Sequence, residues 1–317
     1  MNLVILDGKA LNPGDLSWDC LQEFGHVTYY DRTETEAETI ARLQGVQIVL
    51  LNKVPITERI LAACPEIRLI CALATGYNVV DCAAAARRKI PVCNVPDYGT
   101  SAVAQFTIAL LLELCNQVGH HDHAVHEGKW SRCQDFCFWD TPQMEIAGKT
   151  MGIIGYGRIG RAVGKIAKAF GMKVIAWNRT HYDDGECYVD LDTLLARSDI
   201  ISLHCPLFPE TERIINGKTI GKMKDGAILL NTARGGLVEE TALAEALRNG
   251  KIRGAAVDVV SREPIATDNP LLEAPNCIIT PHMAWAPVES RRRILDTTVG
   301  SIRAFLAGER IPCAVNL

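Results

Sequence analysis

The chain has 317 residues, of which 48% are hydrophobic and 22% charged, and a formal net charge of −4 at pH 7. That length exceeds one typical hydrophobic core, so two domains are expected. The charge balance carries no polyanion signature, so no nucleic-acid partner is expected. Twelve cysteines are scattered without a C-x-x-C pair; most, such as Cys71, Cys93, Cys115 and Cys277, fall in apolar strand or helix patterns, which suits reduced thiols in a cytoplasm.

In chain order, Met1–Asp7 is too short for a signal peptide and reads as a first strand. Leu3–Leu6, Gln47–Leu51, Arg68–Ala72 and Pro91–Val95 are strand-like, with helical patterns such as Thr57–Cys64 and Val79–Arg88 between them. Such alternation predicts a parallel sheet covered by helices, whose ligands lie beyond the carboxyl ends of the strands. Two of those ends carry Asn52-Lys53 and Thr75-Gly76-Tyr77. A backbone nest at Thr75-Gly76 could offer N–H groups to a carboxylate; a plain loop with a solvated lysine fits the spacing equally well.

Asp97–Ala104 opens a long helix running to about Gly119, capped by Thr100 or Ser101. Its apolar run, Ala102–Leu114, is interrupted by Gln105, Thr107 and Glu113 and reads as a buried helix, so no membrane partner is expected. His120, His121, His123 and His126 follow. They lack a nearby set of cysteines or carboxylates, apart from Asp122, so a polar helix end is the preferred reading over a metal site. Gly128–Gly148 is irregular and carries Trp130, Phe136, Phe138 and Trp139, the composition of an arm buried in a partner or a neighbouring domain.

From Lys149 the alternation resumes, with strands at Lys149–Ile154, Lys173–Trp177, Asp199–His204, Ala227–Asn231, Ala255–Val259 and Cys277–Thr280. Helices at Arg161–Phe170, Leu191–Ala196 and Thr241–Asn249 lie between, which predicts a second doubly wound sheet. Gly155, Gly157 and Gly160 stand in G-x-G-x-x-G spacing between the first strand and its helix. Glycine there serves a tight turn, close approach to a pyrophosphate and close helix–strand packing, and the helix N-terminus favours phosphate. Pro287–Ala307 reads as a helix returning to the first domain, with Arg291-Arg292-Arg293 on a solvated face. The expected fold is therefore α/β with two doubly wound parallel-sheet domains, 1–98 plus 285–317 and 99–284.

Three polar residues follow successive strand ends: Arg234 in Asn231-Thr-Ala-Arg-Gly-Gly236, Glu263 in Asp258-Val-Val-Ser-Arg-Glu-Pro264, and His282 in Thr280-Pro-His282. A guanidinium can hold a carboxylate and polarise an adjacent carbonyl. An imidazole can move the proton that accompanies hydride transfer, and a carboxylate beside it fixes its orientation. Singly, each has a bland reading; on consecutive strand ends beside a dinucleotide site they point to catalysis.

These motifs, with Ala74-Thr-Gly-Tyr-Asn-Val-Val-Asp81 and Gly155-Tyr-Gly-Arg-Ile-Gly160, make the chain resemble the D-isomer-specific 2-hydroxyacid dehydrogenases. Within that family, Asn52-Lys53, the 73–81 segment and Val118-Gly-His-His121 are most similar to hydroxypyruvate reductases (glycerate dehydrogenases). The resemblance implies a Rossmann cofactor domain inserted into a flavodoxin-like substrate domain, a homodimer, and a small 2-oxo or 2-hydroxy acid substrate. It implies Arg234 as substrate binder, His282 as acid/base and Glu263 as its partner. It further implies substrate contacts from Lys53, from Thr75 and Gly76 through backbone N–H groups, and from Trp139 of the arm, which in some relatives reaches the partner's site. Cofactor contacts would come from Gly155, Gly157, Arg158, Ile159, Gly160, Asn178, Arg179, Thr180, Pro206, Thr232, Ala233, Asp258 and His282. Glutamate at 263 argues against formate dehydrogenase, and the chain is short for the phosphoglycerate dehydrogenases that carry a regulatory domain.

One departure bears on the cofactor. The second cofactor strand should end in an acid that binds the adenine ribose, but this chain has Trp177-Asn-Arg-Thr180. Asn178 removes a charge that would repel a 2′-phosphate and Arg179 could pair with one, which favours NADP(H) and leaves NAD(H) open. Two alternatives stand beside reduction of hydroxypyruvate and glyoxylate: a dehydrogenase of D-lactate or a larger 2-oxo acid, and a non-enzymatic cofactor-sensing protein.

Overall fold

The structure is a computed structural model that describes residues 1–180, 185 and 187–316. The chain divides into two compact units, Met1–Gly99 with the segment from Trp285 onward, and Thr100–Ala284.

In the first unit, strands β1 (Asn2–Ile5), β2 (His26–Tyr29), β3 (Ile48–Leu51), β4 (Leu69–Ala72) and β5 (Val92–Cys93) form one parallel sheet in the order β2-β1-β3-β4-β5. Side chains alternate across it. Val4, Leu6, Val49 and Leu51 face one core with helices α1 (Glu36–Arg42), α2 (Glu58–Ala63) and α3 (Cys82–Arg87), while Leu3, Ile5, Ile48 and Leu50 face another. Both faces are covered, as parallel sheets require. Each of the three helices starts on a hydroxyl or carboxylate cap: Thr35, Thr57 and Asp81 accept from Glu38, Ile60 and Ala84 N–H groups. The strand order reverses between β1 and β3, which is where such a sheet opens a crevice.

In the second unit, α4 (Thr100–Asn116) and α5 (Val118–His126) precede the alternating elements β6 (Thr150–Ile154), α6 (Arg158–Ala169), β7 (Lys173–Trp177), α7 (Leu191–Arg197), β8 (Ile200–Leu203), α8 (Gly217–Lys222), β9 (Ala227–Asn231), α9 (Glu240–Arg248), β10 (Ile252–Val257) and β11 (Cys277–Ile279). The six strands are parallel in the order β11-β10-β9-β8-β6-β7. Tyr188 adds a single parallel bridge to Ala176 on β7, a one-residue strand in the place of the usual third strand of a doubly wound dinucleotide fold. The order reverses between β6 and β8, beside the glycine turn.

Three expectations change, and one strand is added. The long helix ends at Asn116 rather than near Gly119, because Gln117 is left-handed (φ 47°) and α5 leaves at 57°. Thr100 and Ser101 lie inside its first turn rather than capping it. β2 was not legible, since none of its residues is buried. The basic run opens α10 (Val288–Leu306), which buries Ile294, Leu295, Val299 and Ile302 in the first unit's core, but Arg291 is 6% exposed, not solvated. Its guanidinium forks onto Asp15 at 2.6 Å to each carboxylate oxygen and donates to the Leu11 and Ala286 carbonyls. Those bonds hold the Asp15 carboxyl below the usual range. Among the described residues, no single helix is long and apolar enough to cross a membrane.

Candidate active site

The carboxyl edge of the second sheet is built around Gly155–Gly160, and the three glycines do different things there. Gly155 has φ +95°, and a Cβ on it would lie 2.3 Å from the Cys205 nitrogen, so the turn presses against the His204–Pro206 segment after β8. A Cβ on Gly160 would lie 2.4 Å from the Gly155 carbonyl oxygen, which seats α6 against β6. At Gly157 a Cβ would meet nothing within 4 Å. That open approach, at a helix N-terminus without a side-chain cap, is the shape and polarity that a pyrophosphate needs. At the end of β7, Asn178 donates to the Thr180 carbonyl at 2.7 Å, and Arg179 and Thr180 are exposed.

After β9, the buried Asn231 side chain accepts from Ala233 N–H at 3.1 Å and donates to the Arg234 carbonyl at 2.9 Å. Thr232 meets Thr107 of α4 at 2.8 Å. These bonds shape the turn that presents Arg234, whose exposed guanidinium donates to the Ala233 carbonyl. A Cβ on Gly235 would strike the Val260 carbonyl group at about 2 Å, so this turn packs on the loop after β10.

That loop carries Asp258 and Glu263. Asp258 is 1% exposed and accepts from the Thr280 hydroxyl at 2.6 Å and from the Met283 and Ala284 N–H groups at 2.9 and 2.8 Å. Its carboxylate therefore shapes the segment that holds His282, and its carbonyl accepts from His282 N–H. His282 has left-handed backbone, φ 52°, a conformation that histidine adopts more readily than most residues. The histidine Nδ1 lies 2.7 Å from Glu263 Oε2, with both side chains over a third exposed. With Nδ1 donating to the carboxylate, Nε2 is turned to other partners, the geometry of an oriented proton carrier.

In the first unit, the backbone N–H groups of Asn52 and Lys53 donate to the two Asp7 carboxylate oxygens at 2.7 and 2.6 Å, leaving the Lys53 side chain exposed. Thr75 donates to the Val95 carbonyl and accepts from Asn94 through its own carbonyl. Neither Thr75 nor Gly76 is left-handed, so the pair is not an alternating nest. Instead the N–H groups of residues 75–78 make no hydrogen bonds among the described residues, which leaves a row of donors after β4.

Trp139 lies in the arm and is 65% exposed. Beside it, Asp140 binds Lys129 and accepts from His120 at 2.8 Å, and its N–H donates to His121 at 3.2 Å. His120 and His121 thus clasp the arm, while His123 and His126 face Glu127 and Asp122; among the described residues, no group of three or more His, Cys, Asp or Glu is arranged to hold a metal.

A sequence model described as D-isomer specific 2-hydroxyacid dehydrogenase, NAD binding domain, matches residues 108–284. The chain belongs to that family. Its NAD-binding domain thus coincides with the unit that carries the glycine turn, and the dinucleotide is a nicotinamide one. The chain is 54% identical over 317 residues to a hydroxypyruvate reductase of Blautia hydrogenotrophica, covering 98% of each. It is 41% identical over 309 residues to a glycerate dehydrogenase of Methylorubrum extorquens, covering 97% of this chain and 96% of that one. The crystal structure of the TT0316 protein from Thermus thermophilus superposes with a TM-score of 0.88 at 35% identity, covering 99% of this chain and 100% of that one.

Several supporting residues escaped sequence reasoning. Asn231 carried a signal, since asparagine after a strand commonly builds an Asx turn. Glu240, which holds Ser261 and Asn269, and Asp7 carried none, because each acts on loops distant in sequence.

Proposed function

We propose that the chain reduces hydroxypyruvate and glyoxylate to D-glycerate and glycolate, and catalyses the reverse reactions. The observation that carries this reading is the His282–Glu263 pair at 2.7 Å, on the same sheet edge as the glycine turn. The names of the relatives support the substrate class. The reduced nicotinamide, when bound, supplies a hydride to the substrate's carbonyl carbon. His282 delivers the proton from Nε2 to the carbonyl oxygen, while Glu263 accepts from Nδ1 and stabilises the imidazolium from which the proton leaves. Arg234 clamps the 2-oxo acid and polarises its carbonyl. The open N–H groups at Thr75 and Gly76 suit a carboxylate, and Lys53 suits a small polar acid. Gly157, Arg158, Ile159 and Gly160 would hold the pyrophosphate, and Pro206, Thr232, Ala233 and Asp258 would border the rest of the cofactor.

NADP(H) is the preferred cofactor in this reading, supported by the neutral Asn178 and the exposed Arg179 at the end of β7. The protein acts as a cytoplasmic homodimer in which the arm brings Trp139 to the partner's site, supported by the arm's exposed aromatics and by the free state of all twelve cysteines.

Initial rates with hydroxypyruvate, glyoxylate, pyruvate and a larger 2-oxo acid, each with NADPH and NADH, test this. Fastest turnover of hydroxypyruvate with NADPH is expected. Fast turnover with NADH alone would remove the Asn178–Arg179 argument and leave the reaction; preference for pyruvate or a larger acid would overturn the substrate assignment.

A further inference from the structure

A cleft of about 520 Å³ opens at the amino ends of β9, β10 and β11, the sheet edge opposite the glycine turn and His282. Its volume falls within the range of small-molecule sites. Leu114, Ile228 and Ile278 supply apolar surface, and Glu113, Gln117 and Arg253 are prominent among the polar lining.

Two charged side chains of that lining have no opposite charge to pair with among the described residues. Arg253 donates to the Pro142 carbonyl at 2.6 Å but forms no ion pair among the described residues. Glu113 lies in the last turn of α4, where the helix dipole disfavours a carboxylate, and its side chain has no hydrogen-bond partner among those residues. The two opposite charges line one cleft without neutralising each other.

Separated opposite charges beside an apolar floor are the complement of a small zwitterion with an apolar side chain. We infer that this cleft binds a free α-amino acid. The carboxylate lies on Arg253, in the bidentate manner that a guanidinium allows, the ammonium on Glu113, and the side chain over Ile228 and Ile278. The floor strands β10 and β11 run directly to Asp258 and to Thr280–His282, so an occupant rests on the two strands that carry the candidate active-site loops. The inference does not depend on the proposed reaction.

Calorimetry and thermal shift on the full chain test it, with L-valine and L-leucine as probes and N-acetyl-L-leucine and L-leucinamide as versions each lacking one charge. The free amino acids are expected to bind and raise Tm. Each capped version should bind about tenfold more weakly or worse, because a charge is left unpaired. Arg253→Gln should weaken L-leucine more than L-leucinamide, and Glu113→Gln should weaken L-leucine more than N-acetyl-L-leucine. The capped ligands make the same comparison on the unaltered protein, so the result does not depend on how a variant folds. No binding of either amino acid, or equal binding of the capped forms, would overturn the inference. So would a cleft that proves to be covered by a second copy, seen as weaker dimerisation of both variants without amino-acid binding.

Discussion

At the scale of single residues, Glu263 and Asp258 have distinct surroundings, which a list of acidic site residues would merge. Glu263 touches the imidazole of His282, the proposed proton carrier; Asp258 is buried and holds the loop that carries it. Glu263→Gln preserves shape and removes charge, so turnover should fall roughly 10- to 100-fold with cofactor affinity unchanged. Asp258→Ala would leave the Thr280 hydroxyl and two N–H groups without their acceptor, which costs about 1–3 kcal/mol for each buried group left unsatisfied. It should therefore lower Tm as well as turnover. Equal Tm for both variants would contradict the division. Arg234, Glu263 and His282 were legible because each falls in a motif just after a strand. Asp7, which sets the loop carrying Lys53, acts through backbone N–H groups distant in sequence and leaves no pattern to read.

At the scale of elements, the glycine turn separates recognition from packing. Gly157→Ala places a methyl in open space, so the Tm of the cofactor-free protein should hold, while dinucleotide affinity falls by about tenfold or more as the approach is filled. Gly160→Ala drives a methyl into the Gly155 carbonyl, and overpacking of this kind costs about 1–3 kcal/mol; it should lower Tm without any cofactor present. Tryptophan fluorescence titration with NADPH, run beside thermal melts, separates the two. The buried strands and the turn were legible because apolar runs and glycine spacing are local. Exposed β2 offered no hydrophobic period, and Gln117 gave no warning of a left-handed break. The burial of Arg291 depends on Asp15, 276 residues away in sequence, which no local pattern encodes.

At the scale of the whole molecule, titratable groups set how stability varies with pH. Burial pushes the His204 pKa down to about 3, and its Nδ1 is sealed from solvent without a partner. The unfolded chain binds a proton there near pH 6.5 and the folded chain does not, so its contribution is complete above that value and falls as pH drops toward 3. Asp15, held low by Arg291, contributes in full above its unfolded value of about 3.9, and loses that contribution progressively as pH falls from there through its lower folded value. Tm should therefore decline first between about pH 6.5 and 4, through His204, and further below. His204→Asn should flatten the first decline and leave the second. An unchanged slope in that variant would show that the imidazole does not remain neutral in the fold.

The most direct measurement of the central claim compares hydroxypyruvate-dependent NADPH oxidation by the unaltered chain and by His282→Ala, with cofactor binding measured on both. Turnover is expected to fall by roughly 100-fold or more while the cofactor Kd stays within about twofold, because the proposed proton donor is lost and the glycine turn is untouched. Turnover retained in His282→Ala with cofactor bound would contradict it.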